Sequence, residues 1–191
     1  NIVHQRETPF YLYSVDQIKK NIKQIKSSFK NFKPLVCFAI KANSNLSILK
    51  ELKKNNLGAD VVSIGELKLA LKAGIKPNKI VFSGVGKTDK EIKFAIQKGI
   101  LSINAESKNE IKLINNISKK LRKIINIGVR INPNIKAKTN RKITTGNKVN
   151  KFGISISEFL DVIKNKNNFQ NINIFLLSVH IGSQIKDINV Y

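Results

Sequence analysis

The sequence predicts an α/β fold in which parallel strands alternate with helices, and three observations carry this prediction. Short apolar runs typical of buried strands alternate with amphipathic segments of about ten residues. Roughly six such strands can be counted, and the first is not followed by a glycine-rich nucleotide-binding loop. The chain has 191 residues, fewer than the ~250 of a complete (β/α)8 barrel.

Two architectures satisfy this alternation, because a doubly wound sheet and a (β/α)8 barrel of the TIM type are both built from parallel βαβ units. The missing nucleotide-binding loop favours the barrel. We therefore expect a (β/α)8 TIM-type barrel that is incomplete in this chain. The chain begins with Asn1 rather than Met, so we expect that the natural start lies upstream or was removed. It ends just after a predicted strand, so we also expect the last strands to lie beyond residue 191.

The first two strands and the first helix are predicted from apolar spacing. Residues 9–13 are expected to form a strand. Ser14 is expected to cap a helix that runs to about residue 29, because the isoleucines of this segment recur at helical spacing. The nearly continuous apolar run 35–40 is typical of a strand buried on both faces.

A second helix and a repeat of the strand–helix unit follow. Asn45 is the expected cap of a helix over 46–56. A strand over 59–63 and a helix over 66–73 come next. Gly74 is expected to end that helix, since glycine readily adopts the left-handed conformation found after helix ends.

The fourth predicted helix carries the most complete set of end signals. It is expected over 89–98, after a strand over 79–83. Thr88 and Glu91 have the spacing of a capping box, and Gly99 follows the last helical residue.

The remaining elements are predicted from the same signals. A strand over 100–104 is followed by Ser107 and Glu110, which have the spacing of a second capping box for a helix to about residue 121. Further spacing predicts strands over 124–131 and 173–181 and a helix over 158–164. The stretch 132–151 is rich in Asn, Lys and Thr, and we expect it to be a long functional or mobile loop.

The chain is strongly basic, with 35 Lys and Arg against 12 Asp and Glu and a formal net charge of +23. Such a charge attracts nucleic acids and anionic membranes. However, the lysines are scattered over every predicted helix, Trp is absent, and no basic stretch alternates with aromatic residues as in single-strand binders. We therefore attribute the charge to overall composition and expect neither a nucleic-acid nor a membrane partner. An anionic, phosphate-bearing ligand would still be attracted.

Other global features favour a cytoplasmic protein. No apolar run approaches the ~18–20 residues that span a bilayer, and the first residues lack the apolar core of a signal peptide. Cys37 is the single cysteine, which excludes an internal disulfide and suits a reducing compartment.

One glycine-rich segment resembles a nucleotide-binding loop but fails its pattern. The segment GVGKT at 84–88 ends like a phosphate-binding P-loop. That motif needs a glycine five positions before Gly86, where this sequence has Val81. The segment also fails the dinucleotide pattern, because Asp89 stands in place of the third glycine. We expect no ATP site here.

Polar residues at the ends of the predicted strands are the candidate site residues, because barrel enzymes place their active sites at the carboxyl ends of the strands. The candidate set is Lys41, Asp60, Arg130 and His180, together with Ser63, Ser83, Asn104, Asn132 and Ser183. We expect the first four of these residues to converge on one rim of the sheet.

Each of these residues also has an ordinary structural interpretation. A lysine at the position of Lys41 would be partly desolvated, which favours the neutral amine needed for Schiff-base formation, but lysines also extend from any rim into solvent. His180 is either a core histidine or a planar ring that stacks on a flat cofactor. Gly182 and Ser183 form a turn suited to phosphate. Asp60 is either an inward-pointing carboxylate or a strand-edge residue.

Taken together, seven segments resemble the diaminopimelate decarboxylase family in order and spacing. They are TPFYLYS, FAIKANSNLSIL, LGADVVSIGEL, KIVFSGVGKT, VRINPN, ITTGNKVNKFGI and HIGSQI. The resemblance runs from about residue 8 to the end of the chain. The SGVGKT and HIGSQ wording favours this branch over the related ornithine and arginine decarboxylases, which share the lysine and histidine segments.

The resemblance implies a fold-type III, alanine-racemase-like barrel fused to a β-domain. Residues 1–13 would be a strand that leads in from this β-domain, and residues 14–191 would be part of the barrel that binds pyridoxal 5'-phosphate. The implied reaction is decarboxylation of meso-2,6-diaminopimelate to L-lysine and CO2 by a cytoplasmic homodimer acting on a small amino-acid substrate. No metal site is implied.

The resemblance also assigns roles to individual residues. Lys41 would be the catalytic Schiff-base lysine, and the catalytic His180 would stack on the pyridine ring. Gly182 and Ser183 would help to hold the phosphate, and Asp60 and Arg130 would line the cofactor pocket. The loop 145–152 would lie near the substrate.

Several family features are not found in this chain. The acidic-plus-glycine-arginine segment that contacts the pyridine nitrogen and phosphate is absent, as are the cysteine and tyrosine segments that complete the site across the dimer. We therefore expect this chain alone to be inactive. Another decarboxylase or racemase of the same fold, including the ornithine or arginine type, and a non-catalytic pyridoxal-phosphate carrier remain alternatives.

Overall fold

The computed structural model describes residues 5–135 and 152–190, in which helices and strands alternate along the chain. The helices are α1 (Val15–Ser28), α2 (Leu46–Lys54), α3 (Ile64–Lys72), α4 (Asp89–Lys98), α5 (Lys108–Lys120) and α6 (Ile156–Lys164). The strands are β1 (Cys37–Ala39), β2 (Gly58–Val61), β3 (Ile80–Phe82), β4 (Ser102–Ala105), β5 (Ile125–Ile131) and β6 (Ile172–Val179). Each of these elements was predicted, with ends that differ by a few residues.

The order of the strands decides between the two predicted architectures. The six strands are parallel and are hydrogen-bonded in chain order, β1-β2-β3-β4-β5-β6. A doubly wound sheet would reverse its strand order at a switch point. When strands pair in chain order and every crossover is right-handed, all helices lie on the same face of the sheet, as in a barrel. The predicted barrel-type fold is confirmed, and the described sheet contains six of the eight strands of such a barrel.

The core lies between the sheet and the helices. Strand residues with alternate spacing point outward to the helices and are completely buried, whereas their neighbours point to the opposite face of the sheet. The outward residues with 0% exposure are Ala59, Val61, Ile80, Phe82, Ile103, Ala105, Ile127 and Val129. They pack in one cluster with helical residues such as Leu49, Leu67, Ile92 and Ile111. Within the described ranges, no helix is both long and apolar enough to cross a membrane.

The predicted helix ends are largely confirmed. The side chains of Ser14 and Asn45 accept hydrogen bonds from backbone N–H groups in the first turns of α1 and α2. Thr88 and Glu91 form the predicted capping box of α4, and Gly99 ends that helix with a φ of 65°. Helix α3 begins two residues earlier than predicted because Ser63 is its cap.

The predicted capping box of α5 is only half formed. Ser107 Oγ accepts the N–H of Glu110, as expected. The Glu110 carboxylate, however, accepts the N–H of Glu106 and binds Lys87. The prediction was wrong for Glu110 because a buried ammonium from another loop competes for its side chain.

The strand predicted over residues 9–13 is not formed. These residues are irregular and lie outside the six-stranded sheet. A strand needs a neighbouring strand with which to exchange backbone hydrogen bonds, and no described segment pairs with this one. The division of the chain at residue 13 therefore stays a prediction.

Strand β6 differs from the buried strand that was predicted over 173–181. It ends at Val179, so His180 follows the strand rather than lying within it. Phe175, Leu177 and Val179 are 53%, 56% and 53% exposed. They are about half exposed because β6 is the last strand of the described sheet, and no further described strand lies beyond it.

Candidate active site

One cavity lies at the carboxyl ends of the strands and receives side chains from all six of them. Its volume is about 390 Å³, within the ~300–1,000 Å³ typical of ligand pockets. It is lined by Cys37, Lys41, Asp60, Val62, Val81, Ser83, Gly84, Asn104, Glu106, Arg130, Ser178, Val179 and His180. The prediction that Lys41, Asp60, Arg130 and His180 lie together at one rim is confirmed, since all four line this cavity.

Lys41 lies in the short 3-10 turn Ile40–Ala42 that follows β1. The buried Ile40 anchors this turn, so the next side chain is directed to the cavity rim. Lys41 is exposed, and the expected partial desolvation is therefore not found. The described strands do not cover the mouth of the cavity at this point.

Asp60 lies at the end of a line of polar side chains that crosses three neighbouring strands. Ser102 Oγ donates to Asn104 Oδ1 at 3.5 Å, and Asn104 Nδ2 donates to Ser83 Oγ at 3.0 Å. Because the Ser83 oxygen accepts from Asn104, its own proton is available to the Asp60 carboxyl group, and the interaction with Ser83 lowers the pKa of Asp60. The other carboxylate oxygen, Oδ1, has no hydrogen-bond partner among the described residues.

The environment of Asp60 works against its ionisation. Burial raises the pKa of Asp60, while the hydrogen bond with Ser83 and the positive charges of Lys41, His180 and Arg130 lower it by less. A carboxyl group with a raised pKa and an unpaired buried oxygen is typical of a functional site rather than of a structural ion pair.

Gly128 makes room for this polar line. It lies opposite Asn104 in the β4–β5 pairing. A Cβ at position 128 would lie 2.1 Å from Asn104 Oδ1 and 2.5 Å from Leu176 Cδ1. The absence of a side chain therefore lets Asn104 lie flat across the cavity floor.

Arg130 brings a guanidinium group into the cavity from β5. Its Nη1 donates to Glu106 Oε1 at 2.9 Å, and its Nη2 lies 3.4 Å from the His180 carbonyl oxygen. The guanidinium carbon also lies 5.0 Å from the centre of the Phe152 ring, within the range of cation–π attraction.

His180 forms one wall of the cavity at the end of β6. Its Nδ1 accepts the N–H of Gly182 at 3.2 Å, which leaves Nε2 as the protonated nitrogen of the neutral ring. Burial lowers the pKa of His180, as do the charges of Arg130 and Lys41, while Asp60 and Glu106 raise it. The ring is therefore held in its neutral form at pH 7.

Ser83 and Asn104 also line the cavity, whereas the remaining candidate residues do not. Ser63 caps α3, and Asn132 lies beyond the rim, where its Oδ1 accepts the N–H of Asn134. Gly182 is buried and Ser183 is exposed, and neither is among the lining residues. The loops predicted over 132–151 and 145–152 lie mostly outside the described residues.

Seven lining residues were not among the candidates, and two of these seven, Glu106 and Cys37, have ionisable side chains. Glu106 was missed because the strand was predicted to end at 104, whereas β4 runs to Ala105 and Glu106 follows at once. Cys37 was considered only as a lone thiol. Burial, with a smaller contribution from Asp60, raises the pKa of Cys37 to about 11, so its reactive thiolate is scarce at neutral pH.

The P-loop-like lysine has a structural role. The Lys87 side chain is 1% exposed and pairs with Glu110 at 2.8 Å. Its ammonium also donates to the carbonyl oxygens of Gly84 and Asn104 at 2.5 and 2.8 Å. These three acceptors match the three donors of an ammonium group, so no donor is left for a phosphate.

Comparison with known families bears directly on this cavity. The family described as "Pyridoxal-dependent decarboxylase, pyridoxal binding domain" matches residues 15–191. The chain belongs to this family. The match covers all six described strands, and hence every lining residue of the cavity.

Named relatives of this pyridoxal-binding domain are diaminopimelate decarboxylases. The enzyme from Helicobacter pylori is 49% identical over 183 residues, which are 96% of this chain and 45% of the relative. The enzyme from Campylobacter jejuni is 45% identical over 186 residues, which are 95% of this chain and 45% of the relative. The chain thus spans slightly less than half the length of these relatives.

Solved structures agree with the sequence comparison. Diaminopimelate decarboxylase from Helicobacter pylori complexed with L-lysine superposes with a TM-score of 0.94 at 48% identity, over 97% of this chain and 47% of that one. The enzyme from M. jannaschii in co-complex with L-lysine gives 0.89 at 39% identity, over 98% and 45%. A chlorella-virus arginine decarboxylase bound to agmatine gives 0.81 at 22% identity, over 100% and 48%, and shows the shared fold alone.

Proposed function

We propose that the protein containing this chain decarboxylates meso-2,6-diaminopimelate to L-lysine and CO2 with pyridoxal 5'-phosphate. The observation that carries the proposal is the convergence of an amine, a carboxyl group, a guanidinium and an imidazole on one cavity, in a pyridoxal-binding domain. These groups are Lys41, Asp60, Arg130 and His180.

The residues of the cavity fit such a cofactor. Asp60 Oδ1 is a buried acceptor without a partner among the described residues, and it suits a ring that carries hydrogen-bond donors. Arg130 supplies positive charge that favours a phosphorylated ligand. His180 supplies a neutral flat ring for stacking against another aromatic ring.

The chain's own residues have distinct tasks in this proposal. Pyridoxal phosphate, when bound, supplies an electron-withdrawing ring that accepts the electron pair left by a departing carboxylate. Lys41 supplies the primary amine that binds the cofactor aldehyde covalently. His180 orients the ring, and Arg130 and Asp60 line the pocket. Gly182 and Ser183 are proposed to help to hold the phosphate once the site is complete.

The choice of substrate rests on the comparison with relatives. Sequence identities of 48% and 39% to the diaminopimelate decarboxylases from Helicobacter pylori and M. jannaschii contrast with 22% to the viral arginine decarboxylase. Release of CO2 from meso-2,6-diaminopimelate, L-ornithine and L-arginine by the protein expressed from its full reading frame tests this choice. Preference for ornithine or arginine would move the protein to the related branch, and release from none of the three would favour a non-catalytic carrier.

The site is tested at Lys41. Borohydride reduction should fix pyridoxal phosphate covalently on Lys41, and peptide mapping should find it there. Lys41→Ala should remove the covalent link while some cofactor stays bound non-covalently. Lys41→Arg should fail equally, because its guanidinium stays protonated and cannot act as a nucleophile.

Two further variants serve as controls. Lys50→Ala, at an exposed position of α2, should leave the covalent link intact. His180→Ala should also keep the link but weaken cofactor binding by about 1 kcal/mol, by analogy with aromatic pairs. Discovery of the reduced cofactor on a lysine other than Lys41 would overturn the assignment.

We further propose, from the family resemblance, that the protein acts as a homodimer in the cytoplasm and has no nucleic-acid partner. Sedimentation at several concentrations tests the dimer. Binding to DNA or RNA that persisted at moderate salt would contradict the last point, because composition-driven attraction weakens steeply as salt rises.

A further inference from the structure

Glu106 is a buried carboxylate at the cavity that the proposed reaction does not use. Its side chain is 5% exposed, and it follows the last residue of β4. One oxygen, Oε1, accepts a hydrogen bond from Arg130 Nη1 at 2.9 Å. The other, Oε2, has no hydrogen-bond partner among the described residues. A buried carboxylate with a free oxygen is unfavourable unless the site has a use for its charge.

Arg130 depends on this carboxylate for its position. The guanidinium carries five N–H donors on a long flexible stem. Its strongest described contact is the one to Glu106, since the contact to the His180 carbonyl is 3.4 Å long and Phe152 offers only its ring face at 5.0 Å. Loss of the carboxylate would therefore free the charged group to leave the cavity wall.

Glu106 is itself fixed from behind by a second buried ion pair. Its backbone N–H donates to Glu110 Oε2 at 2.7 Å, and Glu110 Oε1 binds Lys87 Nζ at 2.8 Å. Lys87 in turn holds the carbonyl of Asn104, two residues before Glu106. These contacts connect the start of α5 and the loop after β3 to Glu106, at the end of β4.

We propose that Glu106 is a positioning residue that holds Arg130 against the cofactor cavity, with the Lys87–Glu110 pair as its support. The inference rests on the proposed pyridoxal-phosphate function. Two buried ion pairs in series are poor as purely stabilising elements, because apolar residues of similar size are often at least as stabilising. Their value here is that they fix a cation at the site.

A double-mutant cycle in the protein expressed from its full reading frame tests this role. Cofactor-free protein is titrated with pyridoxal phosphate and followed by absorbance, for Glu106→Gln, Arg130→Met and the double variant. Glu106→Gln should weaken cofactor binding by about tenfold, by analogy with the loss of a side chain that orients a metal ligand. When Arg130→Met is already present, Glu106→Gln should weaken cofactor binding by less than about twofold, because Glu106 acts through Arg130.

Two more variants separate positioning from simple stability. Glu106→Asp keeps the charge but shortens its reach, and should restore part of the lost affinity. Glu51→Gln removes a carboxylate of α2 that is 13% exposed and pairs with the exposed Lys19 and Lys54; because Glu51 does not line the cavity, this variant should leave cofactor affinity unchanged.

The possible failures are distinguishable. A wild-type protein that binds no pyridoxal phosphate would contradict the proposed function itself. Wild-type binding combined with unchanged affinity in Glu106→Gln, or with equal losses in both backgrounds, would overturn the positioning role. Failure of both Glu106→Gln and Glu106→Asp to fold would assign Glu106 to stability alone, and would overturn the role as well.

Discussion

Two cationic and two anionic side chains share the cavity, with Lys41 and Arg130 opposed by Asp60 and Glu106. Each carboxylate keeps one oxygen without a hydrogen-bond partner among the described residues. The positive charges act with burial to lower the pKa of His180, and the negative charges oppose them. The balance leaves a neutral imidazole between charged neighbours, which suits a ring that must stack on a ligand without repelling its cationic parts.

The burial of the Asp60 carboxyl group is expected to lower the stability of the folded protein at neutral pH. Burial raises the pKa of Asp60 in the folded state, so this residue's contribution to stability is complete below the ordinary aspartate pKa of ~3.9. That contribution is lost as the pH rises through the folded-state pKa. The amide of Asp60→Asn does not titrate, so the variant should gain stability over the wild type from about pH 4 upward.

Thermal unfolding of the cofactor-free protein at several pH values measures this difference. The melting temperature of Asp60→Asn should exceed that of the wild type near neutral pH and approach it in acid, while cofactor affinity falls. Asp89→Asn, at an exposed position of α4, controls for the substitution. A stability difference that did not change with pH would contradict the argument.

Most of the site could be predicted from single residues because it lies where strands end. Lys41, Asp60, Arg130 and His180 were found by listing the polar residues near the carboxyl ends of the predicted strands. Glu106 was not found, because the strand before it was predicted to end at residue 104, and local spacing does not reveal its contact with Arg130, 24 residues away. For the same reason the exposure of Lys41 could not be read from the apolar run before it.

At the scale of elements, two helices with the same capping signature behave differently. Glu91 forms the capping box with Thr88 and also accepts the N–H of Ile64, so it links the starts of α4 and α3. Hydrogen bonds from the Thr88 backbone, and from Ser155 to Glu158 in α6, lower the pKa values of both glutamates. Glu110 has the same spacing from Ser107, but Lys87 and the N–H of Glu106 occupy its carboxylate. Only the three-dimensional neighbours distinguish these cases.

Lys87→Met should strongly destabilise the protein, although methionine fills a similar volume. The substitution leaves the Glu110 carboxylate and the carbonyls of Gly84 and Asn104 without their shared donor. Removal of one partner from a buried ion pair costs about 3–5 kcal/mol. Chemical denaturation of the complete protein measures this cost.

Lys98→Met is the matched control for that prediction. Lys98 also lies over a phenylalanine ring, at 5.4 Å from Phe94 compared with 5.7 Å between Lys87 and Phe82, but it is exposed at the end of α4. Its substitution should change stability by less than about 0.5 kcal/mol. Equal effects of the two variants would show that the Lys87 contacts contribute little.

At the scale of the whole molecule, the sequence pattern predicted the alternation of strands and helices but not the order of the strands in the sheet. Apolar spacing predicts each βαβ unit and is the same for both candidate architectures. The sequential pairing β1 to β6 is a property of long-range contacts. Residues 9–13 illustrate the same limit, since strand-like composition does not provide a partner strand. The family resemblance added what spacing could not, because it compared the whole order of segments at once.

The outer face of β6 leads to a prediction for the complete protein. Leu177 is 56% exposed, whereas the corresponding outward residues of the inner strands β2 to β5 are completely buried under helices. Relatives are about twice as long as this chain, and a closed barrel would cover this face with further elements. Leu177→Asp should then behave as a core substitution and lower the free energy of unfolding by about 3 kcal/mol or more. Ile124→Asp, at a position that is 71% exposed before β5, should have little effect. Chemical denaturation of both variants in the complete protein decides the matter, since equal and small losses would mean that β6 remains an open edge.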